Sequence, residues 1–259
     1  PTAEVYYLLA AAHVQIQDFK SALPFAQKAV AMKPKPREPW LNLLMSVYFE
    51  LNQIRPVLQI AKQLVSLYPK RSYWLQLASV YNELGDAKRA LATLELAYAQ
   101  DFLIRSNEII SLVSLYLDQG IPFKAAEILE KELKTGRVDA TLNHYKMLAS
   151  AWLQAQERDR AMEPLAKAAH LDETGESSFL LAQVYIESEK WSLAHRAAQK
   201  AIEKSNLKRP GQVHLLNGIA LLSLKDKAKA KKAFERAEKF EDQRVAARQW
   251  LNHMLGQTL

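Results

Sequence analysis

The chain has 259 residues, of which 49% are hydrophobic and 24% are charged, and it carries a formal net charge of +7. It contains no cysteine, which excludes disulfide bonds and thiolate metal sites. Only 7 glycines occur, and the abundant Ala, Leu, Lys and Glu favour helices over strand-rich folds with glycine-rich turns. No apolar run reaches the length of about 18 residues that a membrane-spanning helix needs.

In chain order, the sequence predicts seven helical hairpins followed by one more helix. The predicted hairpins span residues 3–36, 37–70, 71–104, 106–139, 142–175, 175–208 and 211–243. The final helix is predicted over 244–255. A stack of hairpins needs such a terminal helix, because its last hairpin would otherwise expose an apolar face.

The third hairpin shows the pattern most clearly. Four residues of its first helix share one face, at positions i, i+3, i+4 and i+7: Trp74, Leu77, Ala78 and Tyr81. Gly85 is expected to end this helix, and Asp86 can cap the next one. Ala90 is expected to be small because the two helices of the hairpin approach closely at that residue.

The small position of the second helix recurs along the whole chain at intervals of 33 to 36 residues. Its copies are Ala22, Val57, Ala90, Ala125, Ala161, Ala194 and Ala230. This frame, together with the Trp, Leu, Ala, Tyr and Gly-Asp pattern, resembles the tetratricopeptide repeat family. The resemblance implies an all-α fold, a right-handed α-solenoid superhelix of about seven hairpins that forms a single domain over residues 1–259.

A catalytic or cofactor site is not predicted. None of the six histidines lies three or four residues from another, so the helical zinc arrangements are absent. The phosphate-binding glycine loops and the nucleophile motif G-x-S-x-G are absent as well. The sequence therefore predicts a protein that is not an enzyme and that binds no cofactor.

The resemblance implies that the first helices of the hairpins line a groove that binds a peptide or a partner protein. The groove residues expected from this resemblance are Tyr7, Leu41, Asn42, Met45, Tyr48, Phe49, Leu75, Ser79 and Asn82. The same carry-over adds further positions on the first helices of the hairpins: Ala11, Val14, Glu83, Ser111, Ser114, Asp118, Lys146, Ser150, Phe179, Gln183, Ile186, Leu215, Ile219 and Leu222. The alternative is that neighbouring helices bury some of these side chains. The Lys/Asn clamp that some family members use for C-terminal carboxylates is not matched, since Glu4, Leu8 and Ala11 stand at its first positions.

The positive charge is concentrated at the C-terminal end. Residues 207–259 hold 11 Lys and Arg against 5 Asp and Glu. The candidate basic surface consists of Lys225, Lys227, Lys229, Lys232 and Arg236. It is interpreted as a solvated outer face, with an acidic partner or an anionic membrane surface as the alternative. Nucleic acid is not a predicted partner, because no aromatic residues alternate with these lysines.

Three segments, 120–126, 207–218 and 246–251, resemble bacterial tetratricopeptide proteins encoded beside TonB-type energy transducers. That resemblance implies a periplasmic accessory of an envelope transport system, with a component of the TonB-type system as partner. The alternative is a cytoplasmic adaptor that assists the assembly of another complex. The chain begins at Pro1 without an initiator Met or a signal peptide, so further residues are expected upstream. The oligomeric state is left open.

Overall fold

The computed structural model of the protein describes residues 1–204 and 206–256. The described residues form fifteen α-helices and one short 3-10 helix, and no strand occurs among them. The all-α prediction is confirmed. Ser205, inside the sixth predicted hairpin, and residues 257–259, at the end of the predicted single domain, lie outside the described residues.

The helices are distributed over two compact units, Pro1–Gln119 and Gly120–Leu259. Unit 1 contains α1 (Ala3–Gln15), α2 (Phe19–Ala31), α3 (Glu38–Glu50), α4 (Ile54–Leu67), α5 (Arg71–Glu83), α6 (Ala87–Ala99) and α7 (Ser106–Asp118). Unit 2 contains α8 (Pro122–Thr135), α9 (Leu142–Gln154), α10 (Arg158–Leu171), α11 (Glu176–Glu187), α12 (Trp191–Glu203), α13 (Pro210–Ser223), α14 (Lys227–Glu238), the 3-10 helix Glu241–Gln243 and α15 (Arg244–Met254). The boundary falls inside the fourth predicted hairpin, and a single right-handed solenoid over the whole chain stays a prediction.

The predicted register of the hairpins is confirmed by burial. All seven small positions of the second helices are at most 2% exposed. In the third hairpin, Leu77, Ala78 and Tyr81 of α5 are buried, and Leu77 and Tyr81 pack in one core with Ala90 of α6. A small side chain at Ala90 allows this close approach, because protein interiors leave almost no free volume for additional atoms.

The turn within the third hairpin is closed by backbone hydrogen bonds. In the third hairpin, the N–H of Asp86 donates to the carbonyl of Tyr81 at 2.9 Å, and the N–H of Gly85 donates to Asn82 at 2.9 Å. This arrangement is typical of the Schellman motif, and Gly85 lies in the left-handed region with φ +74°. The Asp86 carboxylate accepts the N–H of Arg89 at 3.1 Å, which confirms the predicted cap of α6.

The last helix, α15, ends within one residue of the predicted boundary at 255. Its residues Leu251 and Met254 pack against the buried cluster of the seventh hairpin, which includes Leu221 and Phe234. The predicted capping role is therefore confirmed for unit 2.

Candidate functional site

Two cavities of unit 1 meet at Ser79 and together form one groove, here called the unit 1 groove. The first cavity, of about 310 Å³, is lined by Met45, Ser46, Phe49, Glu50, Val57, Gln76, Ser79, Val80 and Glu83. The second, of about 510 Å³, is lined by Leu75, Ala78, Ser79, Asn82, Leu94, Glu108, Ile110, Ser111, Ser114, Leu115 and Asp118. Most of these residues belong to α3, α5 and α7, the first helices of hairpins two, three and four.

The groove offers apolar surface to solvent. Phe49, near the end of α3, is 56% exposed, and Met45 lies one helical turn before it. Leu75 of α5 and Leu115 of α7 are half-buried along the second cavity. Apolar side chains that line a cavity and remain open to water are typical of binding surfaces.

The charges along the groove are all negative. Among the described residues that line the two cavities, four are Asp or Glu and none is Lys, Arg or His. Glu108 is already neutralised by the guanidinium of Arg71. Burial alone would raise the pKa of Glu108, but the hydrogen bonds from Arg71 and from the backbone of Arg105 hold it below its usual value. Glu50, Glu83 and Asp118 are exposed and have no ion pair with any described residue.

Five of the nine principal groove residues line the cavities, namely Met45, Phe49, Leu75, Ser79 and Asn82, and so do Glu83, Ser111, Ser114 and Asp118 of the further set. The prediction for Phe179 of that set is wrong, because its side chain is buried in unit 2 and cannot contact a partner. The prediction for Leu41 is wrong, because this side chain is fully buried in the core of unit 1. The small residues Ala10 and Ala26 belong to the same core and leave room for Leu41 between the first and second hairpins. Leu41 therefore cannot contact a partner in this conformation.

The other three predicted residues take part in contacts within unit 1 and do not line the cavities. Asn42 donates from Nδ2 to the hydroxyl of Tyr73 at 2.8 Å. The hydroxyl of Tyr48 accepts a hydrogen bond from Gln27 at 2.8 Å. Tyr7 stacks on Trp40, with ring centroids 6.2 Å apart. These side chains hold neighbouring hairpins together, in line with the alternative interpretation of the sequence.

Sequence reasoning missed several lining residues. They are Ser46, Glu50, Val57, Gln76, Ala78, Val80, Leu94, Glu108, Ile110 and Leu115. Helical spacing is a signal that could have found some of them, since Ile110 lies four residues before the predicted Ser114 and Gln76 three before Ser79. Val57 and Leu94 lie on second helices, which the resemblance does not place in a groove.

The candidate basic surface lies on and before α14 of unit 2, and all five of its residues are exposed. Lys229 pairs with Asp226 at the start of the same helix at 2.9 Å. Lys227 lines a cavity of about 450 Å³ that also contacts Leu251 and Met254 of α15. The pKa of the half-buried His214 is lowered, first by burial of its imidazole ring and then by the positive charge of the Arg236 guanidinium.

Within residues 1–204 and 206–256, no group of three or more His, Asp or Glu side chains is arranged to hold a metal ion. In the same part of the chain, no helix combines the length and the apolar character needed to cross a bilayer. The side chains that line the unit 1 groove are apolar, uncharged polar or carboxylate. Such a lining suits the non-covalent binding of another molecule.

Comparison with known proteins shows a family match for two segments of the chain. Residues 3–36 and 72–101, within the first and third predicted hairpins, match the Tetratricopeptide repeat family. One similar solved structure, Naa15/Naa10 bound to HypK-THB, has 14% identity and a TM-score of 0.69. It covers 98% of this chain, and this chain spans only 39% of that one.

Two further structures are shorter. YrrB, a tetratricopeptide protein with an unusual peptide-binding site, has 14% identity, a TM-score of 0.55 and coverage of 74% of this chain and 97% of its own. The MamA protein has 22% identity, a TM-score of 0.51 and coverage of 68% and 94%. At these identities the likeness shows the fold. No curated protein gives a significant sequence match. Two segments of the chain therefore match the tetratricopeptide repeat family, and the helical hairpins of the described residues are similar to those of solved tetratricopeptide proteins.

Proposed function

We propose that this protein is a non-catalytic scaffold that binds a peptide or a segment of a partner protein in the unit 1 groove. The observation that carries the proposal is Phe49, a large aromatic side chain that is 56% exposed at the edge of a cavity. Aromatic side chains beside cavities are common anchors of protein interfaces, where a few residues provide most of the binding free energy.

The depth and shape of the groove support a peptide ligand. Its two cavities have volumes of about 310 and 510 Å³ and follow one another across α3, α5 and α7. Each is large enough for several side chains of a bound segment, since pockets for small molecules have volumes of about 300–1,000 Å³. YrrB, which shares the fold, has a peptide-binding site.

The proposal is tested by selecting peptides from a displayed library against the protein and measuring their affinities. Phe49→Ser should weaken the selected peptides about thirtyfold, because truncating an aromatic anchor often costs about 2 kcal/mol of binding free energy. Leu96→Ser is the matched control, since Leu96 is 54% exposed in the same unit and lines neither cavity. The groove would be refuted as the binding site if the selected peptides bound the wild type and Phe49→Ser with equal affinity and bound the control, Leu96→Ser, more weakly.

The basic surface is the second candidate site, for an acidic partner. Lys229 and Lys232 are exposed on α14, where a partner can reach both. Charge reversal, Lys229→Glu with Lys232→Glu, should lower the rate at which an acidic partner associates and should reduce the salt dependence of that rate. The affinity of a peptide bound in the unit 1 groove should not change. Selected peptides that lose affinity in this variant and keep it in Phe49→Ser would identify the basic surface as the principal site.

For the cellular role, we propose an accessory of a TonB-type transport system in the bacterial periplasm. The support is the resemblance of segments 120–126, 207–218 and 246–251 to tetratricopeptide proteins encoded beside such systems. The test is fractionation of cells that express the full-length protein, followed by purification with the TonB-type transducer. A protein that fractionates with the cytoplasm would favour the alternative, an adaptor in the assembly of another complex.

A further inference from the structure

We infer that the segment bound in the unit 1 groove is basic, with Lys or Arg side chains beside at least one apolar residue. The inference rests on the proposed function and adds the chemical class of the partner. Its starting point is that the groove combines exposed apolar surface at Phe49 with three unpaired carboxylates, those of Glu50, Glu83 and Asp118.

The three carboxylates occupy one repeated position. Helices α3, α5 and α7 each have 13 residues, and their last residues are Glu50, Glu83 and Asp118. A groove that crosses the three helices therefore meets one carboxylate at the same end of each helix. A row of negative charges beside apolar side chains complements a segment in which basic and apolar residues alternate.

These positions are electrostatically unfavourable for the folded protein on its own. The C-terminal end of a helix carries a partial negative charge, so a carboxylate there is repelled and a cation is favoured. No basic residue occurs in the last turn of α3, α5 or α7. Each helix therefore ends with a negative charge that has no compensating cation among the described residues, and a basic ligand would supply one.

In unit 2, one helix ends in a carboxylate whose negative charge is compensated by a paired cation. Its helix α11 also ends in a glutamate, Glu187, but the guanidinium of Arg158 pairs with that carboxylate at 3.0 Å. Along the groove, Arg71 neutralises Glu108 in the same way and leaves the three terminal carboxylates free. The chain as a whole carries a net charge of +7, so the attraction of a basic segment must come from this local row.

The acidic row also selects against other partners. A segment rich in Asp or Glu would be repelled along the groove, which adds specificity beyond the apolar contacts. Because the carboxylates are exposed, each ion pair with a ligand contributes modestly, and the three together are expected to change affinity by about tenfold.

The test uses fluorescein-labelled peptides of about twelve residues, which reach roughly 40 Å when extended. One peptide contains Lys, Leu and Ala, a second has Glu in place of each Lys, and a third has Ser in place of each Leu. Fluorescence anisotropy should give the tightest binding for the first peptide. Its affinity should fall between about 0.1 M and 1 M salt, as the Debye length decreases from about 10 Å to 3 Å.

The decisive variant is Glu50→Gln with Glu83→Gln and Asp118→Asn. It should bind the Lys peptide about tenfold more weakly, with much less salt dependence, and its melting temperature should stay the same or rise because the repulsion at the helix ends is removed. The matched control, Glu173→Gln with Glu189→Gln and Glu241→Gln, removes the same charge from exposed positions outside the groove and should bind like the wild type.

The outcomes separate this inference from the proposed function. Unchanged binding of the Lys peptide in the triple variant, with loss in Phe49→Ser, overturns the basic-segment inference and leaves the groove as a binding site. Unchanged binding of the Lys peptide in both the triple variant and Phe49→Ser also overturns the proposal that the groove is a binding site. Equal binding of the Lys and Glu peptides by the wild type also overturns the inference, because the acidic row would then not discriminate by charge.

Discussion

The indole ring of Trp250 lies parallel to the ring of Phe234, with an interplanar angle of 2° and ring centroids 5.7 Å apart. Phe234 is fully buried within the seventh hairpin, whereas Trp250 belongs to the last helix, α15. The stacked pair therefore joins the final helix to the core of the hairpin that it covers.

Trp250→Ala is expected to lower the free energy of unfolding by about 2 kcal/mol. The change removes the stacked ring and opens apolar surface of hairpin seven, and Trp to Ala changes in full cores cost about 3–5 kcal/mol. Urea denaturation would measure the loss, with Gln249→Ala, an exposed neighbour on α15, as the control. Identical midpoints for wild type and Trp250→Ala would show that α15 contributes nothing to the core.

A second prediction concerns Gly218, whose Cα faces the same phenyl ring. A Cβ added at Gly218 would lie 2.5 Å from Cε1 of Phe234. Gly218→Ala should therefore destabilise the protein by about 1–2 kcal/mol, although alanine by itself favours a helix interior by about 1 kcal/mol. Thermal or urea unfolding gives the change in stability.

The steric cause can be isolated by a double-mutant cycle with Phe234→Leu. The smaller side chain should make room for the new methyl group, so the double variant should be more stable than the sum of the two single changes predicts. Strict additivity would contradict the contact between Gly218 and Phe234 as the cause.

The turns of the hairpins provide a third prediction, on backbone strain. Gly85 has φ +74°, and a Cβ added there would have no other atom within 4 Å, so a methyl group meets no steric obstacle. Gly85→Ala should still cost about 1 kcal/mol, because residues with a Cβ are strained in the left-handed region. Gln156 occupies the equivalent turn with φ +62° and already carries a Cβ, so Gln156→Ala should be nearly neutral. Equal effects at the two sites in urea unfolding would disprove this account.

The sequence predicted the hairpins well because each one repeats the same packing requirement. The interval of 33 to 36 residues identified the close-packing positions, and every one from Ala22 to Ala230 is buried. Gly85 and Asp86 likewise specified their turn. The same left-handed geometry occurs at Gln17 and Glu189 without glycine, so the repeat could be recognised there only from its neighbours.

The groove could be predicted only in part, because it depends on contacts between hairpins. Leu41 was expected at the surface, but its burial is decided by Ala10 and Ala26, which belong to another hairpin. The acidic row could be predicted from the sequence only in part, because Glu83 and Asp118 were expected in the groove and Glu50 was not. Glu50, Glu83 and Asp118 become significant once the structure shows that each ends its helix beside a cavity and lacks an ion pair.

The loop before α11 is organised by the buried carboxylate of Asp172. One carboxylate oxygen accepts the N–H of Thr174 at 2.9 Å and its hydroxyl at 2.6 Å, and the other accepts the N–H of Ser177 at 2.7 Å. Burial alone would raise the pKa of Asp172, but these hydrogen bonds outweigh it and hold the pKa well below 3.8. The ionised form is therefore favoured in the folded state.

Asp172→Asn is expected to lower the free energy of unfolding at pH 7 by about 2 kcal/mol, because hydrogen bonds to a charged group are worth about 1.5–3 kcal/mol. A pKa that is lower in the folded than in the unfolded state means that the unfolded chain binds more protons as the solution is acidified. The stabilisation is therefore fully present above the unfolded value of 3.8 and is lost as the pH falls through the folded pKa. Urea unfolding of both proteins at pH 7 and at successive values below 4 should show their difference shrinking, while Glu173→Gln, at the exposed neighbouring residue, stays close to the wild type. A difference that is constant over this range would show that the charge of Asp172 does not stabilise the loop.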